Sequence, residues 1–570
     1  MNAARTTQLA AAAVTLLATG GYAAEGAFPA SRSVVATRYG VVASSQPQAA
    51  AVGVKILDLG GNAMDAAIAA NAVVGVMEPT SNGIGGDLMA LVYEAKTKRV
   101  YGLNASGWAP SGLTPERLAE LGHGAQMPQH GIFSVTVPGV VAGWGALRER
   151  FGTLPLSTLL APAIRAAEEG FPVMEITAGH WRASEHFLQG EPEAAKTYLP
   201  GGHAPRPGEV FRNPALASSL RRIAERGPAG FYEGETAEAI LAVSRKQGGT
   251  FTAADLSEFR AEWLEPISTT YHGWRVYELG PNTQGIAALM MLNLMEGFPL
   301  ARWGLQSTET IHTMIEAKKL AYADMLAQVG DPHFAKIPVE AMLDKARAAA
   351  RAKLIDPQHA NAKVEPGQLE GVTNAKGSDT IYLTVVDQEG NIVSLIQSNY
   401  NGFGSGLVPE GCGFMLHNRG GLFTLKPGQA NTLAPRKRPL HTIIPALMEK
   451  DGVRIGFGIM GGWNQAQAHA QFVSDIADHG MNIQQALEAG RFTKPTFAGL
   501  DVEVEERLSP EVRQGLLERG HLVHVVGPRT GTFGYGQAVM STPDGVQFGA
   551  SDPRHDGEAI PQTMPVTREK

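Results

Sequence analysis

Two hydroxyl side chains, those of Thr380 and Ser398, are where chemistry can first be read from this chain. A threonine hydroxyl is a weak nucleophile until a base takes its proton. A free α-amine has a pKa of about 7.7–8.0, so a threonine that begins a chain carries its own base near neutral pH. Inside an intact chain the same nitrogen is an amide and cannot serve. The chemistry therefore requires the Asp379–Thr380 bond to be cut, and it is then amide hydrolysis or acyl transfer through an acyl-threonine. On local sequence alone, the competing reading is a solvent-facing strand that carries hydroxyls.

The element that must position the pair is a hairpin. Residues 380–387 read Thr-Ile-Tyr-Leu-Thr-Val-Val-Asp and residues 391–398 read Asn-Ile-Val-Ser-Leu-Ile-Gln-Ser, both rich in β-branched and aromatic types. A three-residue loop, Gln388 to Gly390, pairs Asp387 with Asn391 and brings Thr380 opposite Ser398. Cross-strand partners have Cβ atoms roughly 4.5–5.5 Å apart, close enough for two hydroxyls to meet. Ile381, Leu383, Val385, Val393 and Leu395 fall on the face that wants a core. Thr384 and Ser394 share the other face with Thr380, Ser398, Tyr382 and Ile396, and that face is expected to be the chemical one.

Around the hairpin the chain reads as α/β. Val41–Ala43 and Leu88–Tyr93 predict strands, and 47–59 and 63–76 predict helices, the second apolar nearly all round and so buried. Gly83-Ile84-Gly85-Gly86 lacks the G-x-G-x-x-G spacing and a Walker lysine, and predicts close backbone packing. Residues 350–376 are polar, with Pro357 and Pro366, and predict an exposed lead-in to the hairpin. His312 and Glu316 are four apart on one helix face, a spacing that suits a metal pair or a structural hydrogen bond. With no third ligand evident, the hydrogen bond is preferred.

The composition excludes several classes. With 570 residues, 44% hydrophobic and 18% charged, the chain is an ordinary globular sequence, and its net charge of −7 with no basic stripe disfavours a nucleic-acid partner. Residues 1–24 read as a signal peptide, with Arg5, the apolar stretch Leu9 to Ala18 and small residues before the cut, so export to a periplasm or beyond is expected. No later run reaches about 18 apolar residues, so no membrane span is expected. Cys412 is the only cysteine and reads as structural.

Several phrases together resemble the γ-glutamyltranspeptidase family of N-terminal nucleophile hydrolases. They are Gly377-Ser378-Asp379 before Thr380, Asn401-Gly-Phe-Gly-Ser-Gly406, Arg438-Pro-Leu-His-Thr442, Ser134-Val-Thr-Val-Pro-Gly139, the run Thr310 to Asp324 and Ala550-Ser-Asp-Pro-Arg554. The resemblance implies an αββα sandwich made of a large subunit, 25–379, and a small one, 380–570, cut from one precursor. It implies Thr380 as nucleophile, Ser398 as its hydroxyl partner and Gly461 and Gly462 as oxyanion hole. On local sequence that glycine pair is equally a strand-to-helix turn. No metal or organic cofactor is implied, and the family activity is γ-glutamyl transfer and glutathione hydrolysis.

At the substrate pocket the chain departs from that pattern. The aligned positions hold Ser106, with Trp108 close by, then Tyr400, Arg419, Leu422, His441 and Thr442. An acid is replaced by Leu422, and Arg419 adds a cation whose fork suits a carboxylate. A small-molecule amide whose acyl group lacks an α-amine is the alternative substrate, as for cephalosporin acylases or oxamate amidohydrolase. An uncut, non-catalytic periplasmic binding protein is the alternative from another class.

Overall fold

The hairpin that carries Thr380 and Ser398 lies at the centre of a seven-stranded antiparallel sheet. In a computed structural model, which describes residues 31–124, 126–365, 378–527 and 531–564, its arms are Ser378–Val386 and Ile392–Asn401. The expected leader over 1–24, Gly377 and the end of the lead-in lie outside the described residues. Gly390 takes φ 83°, its N–H donates to Asp387 O, and Asp387 N donates to Asn391 O (3.1 Å), closing the predicted three-residue turn. Asp387 Oδ2 also accepts the N–H of Ala63 (3.0 Å), which ties the turn to the start of a buried helix.

From Ile381↔Gln397 to Val386↔Ile392 the register is the one counted outward from the turn. Beyond it the ladder slips by one residue, to Asp379↔Tyr400 and Ser378↔Asn401. The first arm therefore begins two residues earlier than expected, because pairing resumes past a bulge.

The sheet runs Glu558–Pro561, Val41–Ser44, the two hairpin arms, Asp87–Glu94, Arg99–Ala105, Glu262–Leu264. A second seven-stranded sheet runs Val35–Thr37, Gln547–Ser551, Gly536–Ser541, Val453–Ile459, Ala446–Lys450, Trp274–Glu278, Ile267–Tyr271. Ile381, Leu383, Val385, Val393 and Leu395 pack with helices Pro47–Asp58 and Ala63–Met77, as the alternation predicts. Asn62 and Asp65 form a capping box at the second of these, and all of its residues are buried. Helices Gly285–Met295, Thr308–Gln328 and Gln465–Ala477 cover the outer face of the second sheet. Burying each large aliphatic side chain in these layers contributes about 1.5–3 kcal/mol.

The opposite hairpin face is not solvated. Tyr382, Val386, Ile392 and Ile396 form a third core with Leu447 and Val539, between the two sheets. The architecture is thus an αββα sandwich. Thr384 and Ser394 are consumed by it: Thr384 Oγ1 donates to Val393 O (2.8 Å), and Ser394 Oγ accepts from Ala446 N (3.0 Å) across the sheets. Gly458 lies under the Tyr382 ring, where a Cβ would come within 2.4 Å of a ring carbon. Only the hydroxyls at the hairpin's open end remain for chemistry.

Of the lead-in, residues 350–365 are described, and most are exposed, as their polarity predicts. Lys345–Ala352 is a helix, and Ile355 and Val364 anchor the segment in the second core. No helix among the described residues is long and apolar enough to cross a membrane.

Candidate active site

Thr380 Oγ1 donates to Ser398 Oγ at 3.0 Å, and both residues are buried. The expected meeting survives the bulge, at which Ser398 and Asn399 together oppose the single residue Thr380. Ser398 Oγ also accepts the N–H of Tyr400 (2.8 Å), which fixes the acceptor. Behind it, Gly86 approaches so closely that a Cβ would meet Ser398 O at 2.6 Å. The Gly83–Gly86 stretch is therefore the close backbone packing its sequence suggests.

The glycine pair follows strand Val453–Ile459, and the turn Gly462–Asn464 packs against the hairpin arm that holds Thr380. Gly461 and Gly462 have φ 135° and 57°, a conformation open to glycine and strained for other residues. Neither of their N–H groups has an acceptor among the described residues. Their carbonyls, in contrast, are held: Gly461 O by Asn464 N (3.0 Å) and Gly462 O by Gln284 Nε2 (2.7 Å). Two free, fixed N–H groups are what a developing oxyanion requires.

A buried polar cluster surrounds the hydroxyl pair. Arg419 Nη1 donates to Thr442 Oγ1 (2.6 Å), and its guanidinium lies 4.5 Å from the centre of the Tyr400 ring. Tyr400 itself sits at φ 79°, a backbone strain of about 1–3 kcal/mol that the surrounding packing offsets. Arg419 is fully buried, yet its Nε and Nη2 have no partner among the described residues. Burial lowers its pKa to about 10, against the attraction of Asp87, so it remains charged at neutral pH.

Asp87 stands opposite Ser398 in the neighbouring strand pair. His441 Nδ1 accepts Ile443 N–H (3.3 Å), so Nε2 carries the proton and donates to Asp87 Oδ2 (2.9 Å). Gly107 N donates to Asp87 Oδ1 (3.0 Å). Burial raises the Asp87 carboxyl, but His417, His441 and Arg419 outweigh it and hold it below the usual carboxylate range. Burial and the Arg419 charge push His441 down to about 3. His417 donates through Nε2 to Thr136 O (2.9 Å) and turns Nδ1 toward Asp87 at 3.6 Å.

Of the residues singled out from sequence, Thr380, Ser398, Tyr400, Arg419, His441 and Thr442 come together, with Gly461 and Gly462 alongside. Ser106 is adjacent but engaged, its hydroxyl donating to Asn104 Oδ1 (2.7 Å). Trp108 does not join them: its indole N–H donates to Asp255 O (3.2 Å) and its ring meets Phe259 edge-on. Leu422 packs against the second core, so no acid stands there.

Asp87, His417 and Gln284 were missed. His417 lies two residues before Arg419, but Arg419 opens a 3-10 turn, so no strand alternation links them, and Asp87 and Gln284 likewise leave no local trace. Buried Cys412 is structural, with burial raising its thiol pKa. His312 and Glu316 do acquire a third ligand-type neighbour, His521. Protein hydrogen bonds occupy the group: His312 Nδ1 meets His521 Nε2 (2.8 Å), and Lys319 Nζ donates to Glu316 Oε1 (2.6 Å).

The family profile described as Gamma-glutamyltranspeptidase matches residues 49–562. The glutathione hydrolase-like YwrD proenzyme of Bacillus subtilis (strain 168) is 38% identical over 534 residues, spanning 93% of this chain and 99% of that protein. The acylase ACY 1 proenzyme of Pseudomonas sp. (strain SE83) is 34% identical over 534 residues, 91% of this chain and 93% of its own. Among solved structures, cephalosporin acylase from Bacillus halodurans superposes with a TM-score of 0.88 at 42% identity, covering 94% of this chain and 97% of that one.

Proposed function

The chain belongs to the gamma-glutamyltranspeptidase family, and from that premise we propose a self-cleaving amide hydrolase that acts through Thr380 on acyl groups bearing a carboxylate but no α-ammonium. In the precursor, Thr380 Oγ1 attacks the Asp379 carbonyl. The peptide C–N bond breaks as the ester forms, the amine is released, and water then opens the ester. The products are residues 25–379, after removal of the leader, and residues 380–570. Arg5 and the apolar stretch 9–18 support export, to a periplasm or beyond.

In the mature enzyme the Thr380 amine takes the hydroxyl proton as Oγ1 attacks the substrate carbonyl. Gly461 and Gly462 N–H groups receive the oxyanion. The proton passes to the departing amine, and water, or an acceptor amine, then releases the acyl group from Thr380.

Arg419 is the observation that carries the specificity. A buried guanidinium with two unengaged nitrogens, Nε and Nη2, suits a carboxylate. An ammonium desolvated beside it is repelled, and Leu422 offers no compensating charge. Two of the compared proteins are acylases and one is described as glutathione hydrolase-like, and Arg419 favours the acylase reading. Side-by-side kinetics on glutaryl and γ-glutamyl anilides test it. Higher kcat/KM for the glutaryl compound is expected, and a clear preference for the γ-glutamyl one overturns the assignment.

A further inference from the structure

The two functional segments of the site, the oxyanion glycines and the Arg438–Thr442 run, share one buried side chain that sequence reasoning passed over. Gln284, at the N-terminal end of helix Gly285–Met295, is fully buried. Its Nε2 donates to two carbonyls, Thr442 O and Gly462 O, the latter at 2.7 Å. Its Oε1 accepts the Tyr322 hydroxyl (2.9 Å), and its backbone N–H donates to His441 O (3.0 Å). The amide orientation follows from its neighbours, since a flipped amide would set its oxygen against two carbonyl oxygens.

We propose that Gln284 is a positioning residue that locks the Gly461–Gly462 turn to Thr442, so that the oxyanion donors and the substrate-binding side chains keep one geometry. The proposal rests on the reading of that glycine pair as the oxyanion hole. Glycines are conformationally permissive, so two in succession do not hold a peptide plane by themselves. A restraint must come from outside the turn. Asn464 N at Gly461 O and Gln465 N at Gly462 O are bonds of the turn and the helix that continues it, and Gln284 adds, at Gly462 O, a restraint from a distant element. Both hydrogens of one amide are used on two different segments, and among the described residues no other side chain donates to either carbonyl. A shift of about 1 Å in catalytic groups is enough to cost on the order of 10² in rate.

The test is Gln284→Met, a near-isosteric change that removes both donors, with Gln284→Asn, one methylene too short to reach both carbonyls, as the replacement if Met does not fold. Each variant is left until self-cleavage is complete and assayed on whichever of the two anilides the wild type prefers. The expected result is a kcat lower by about tenfold or more with KM changed by less than about twofold. Affinity for 4-boronobutanoic acid, which forms a tetrahedral adduct on Thr380 Oγ1, should fall in step with kcat. Competitive inhibition by glutarate, which needs no oxyanion hole, should not move. Unchanged kcat and boronate affinity in a folded variant overturn the proposal, as does a loss carried by KM and glutarate affinity instead. Gly461→Ala separates the underlying reading. If it too leaves boronate affinity intact, the glycine pair is not the oxyanion hole and both ideas fall. If it weakens the boronate while Gln284→Met does not, only the role of Gln284 falls.

Discussion

Thr380 Oγ1 lies 3.0 Å from Ser398 Oγ at the point where the hairpin ladder is irregular. In an unbroken ladder Thr380 would be one more residue of a paired strand. With Ser398 and Asn399 both opposite it, Thr380 takes no single cross-strand partner, while the residues on either side remain paired. Bulges re-aim side chains and loosen local pairing without dissolving the strand. Here the arrangement holds a nucleophile's hydroxyl against an acceptor at the open end of the hairpin.

Self-cleavage is the first consequence. Intact-mass measurement of purified protein should find a fragment spanning residues 380–570, and Thr380→Ala should stay a single chain. An active protein that remains uncut would sink the assignment of Thr380.

The hairpin was legible because everything that specifies it is local. Alternation set the faces of Ile381 to Val385, and Gly390 set the turn and hence the register. The bulge was not legible, since it depends on how Ser398 and Asn399 settle against Gly86 and the strand beyond. Asp87 escaped for a similar reason: it reaches Ser398 and His441 only through pairing between distant strands. Trp108 shows the converse error. Its position in the chain is near the site, but its indole is spent on Asp255 and Phe259, and counting along a sequence does not give side-chain direction.

Ser398→Ala removes the oxygen that accepts from both Thr380 Oγ1 and Tyr400 N. Loss of such hydrogen bonds costs about 0.5–1.5 kcal/mol each, so self-cleavage and turnover should slow by up to roughly tenfold per bond, with the fold retained. Time courses of cleavage and anilide release check this. Wild-type rates for both would remove Ser398 from the site.

Arg419→Met should distinguish carboxylate recognition from structural support. A hydrogen bond to a charged group contributes about 1.5–3 kcal/mol, so kcat/KM for a glutaryl anilide should fall by about 10- to 150-fold. A butyryl anilide, the same acyl chain without its carboxylate, should lose no more than about threefold. Equal losses on the two substrates would show that Arg419 serves the packing around Tyr400 and Thr442 instead of the substrate.

His441 gives a prediction about acid stability. Burial and the Arg419 charge hold its folded pKa at about 3, whereas an imidazole in the unfolded chain titrates near 6.5. Between those values the unfolded state binds a proton that the folded state excludes. Stability from the neutral imidazole is therefore complete above about pH 6.5 and is lost as the pH falls toward 3. Its steepest contribution approaches about 1.4 kcal/mol per pH unit. The measurement is denaturant unfolding from pH 7 to pH 4 in the uncut Thr380→Ala protein, with and without His441→Gln. Glutamine keeps an N–H for Asp87 Oδ2 but does not titrate. Asp87, His417 and Arg419 face the site in both proteins, so their shared contributions largely cancel in the difference. The histidine protein should lose stability relative to the glutamine variant as the pH drops. Two parallel curves would mean that His441 takes up its proton in the folded state, against the geometry in which Nδ1 is occupied by Ile443 N–H.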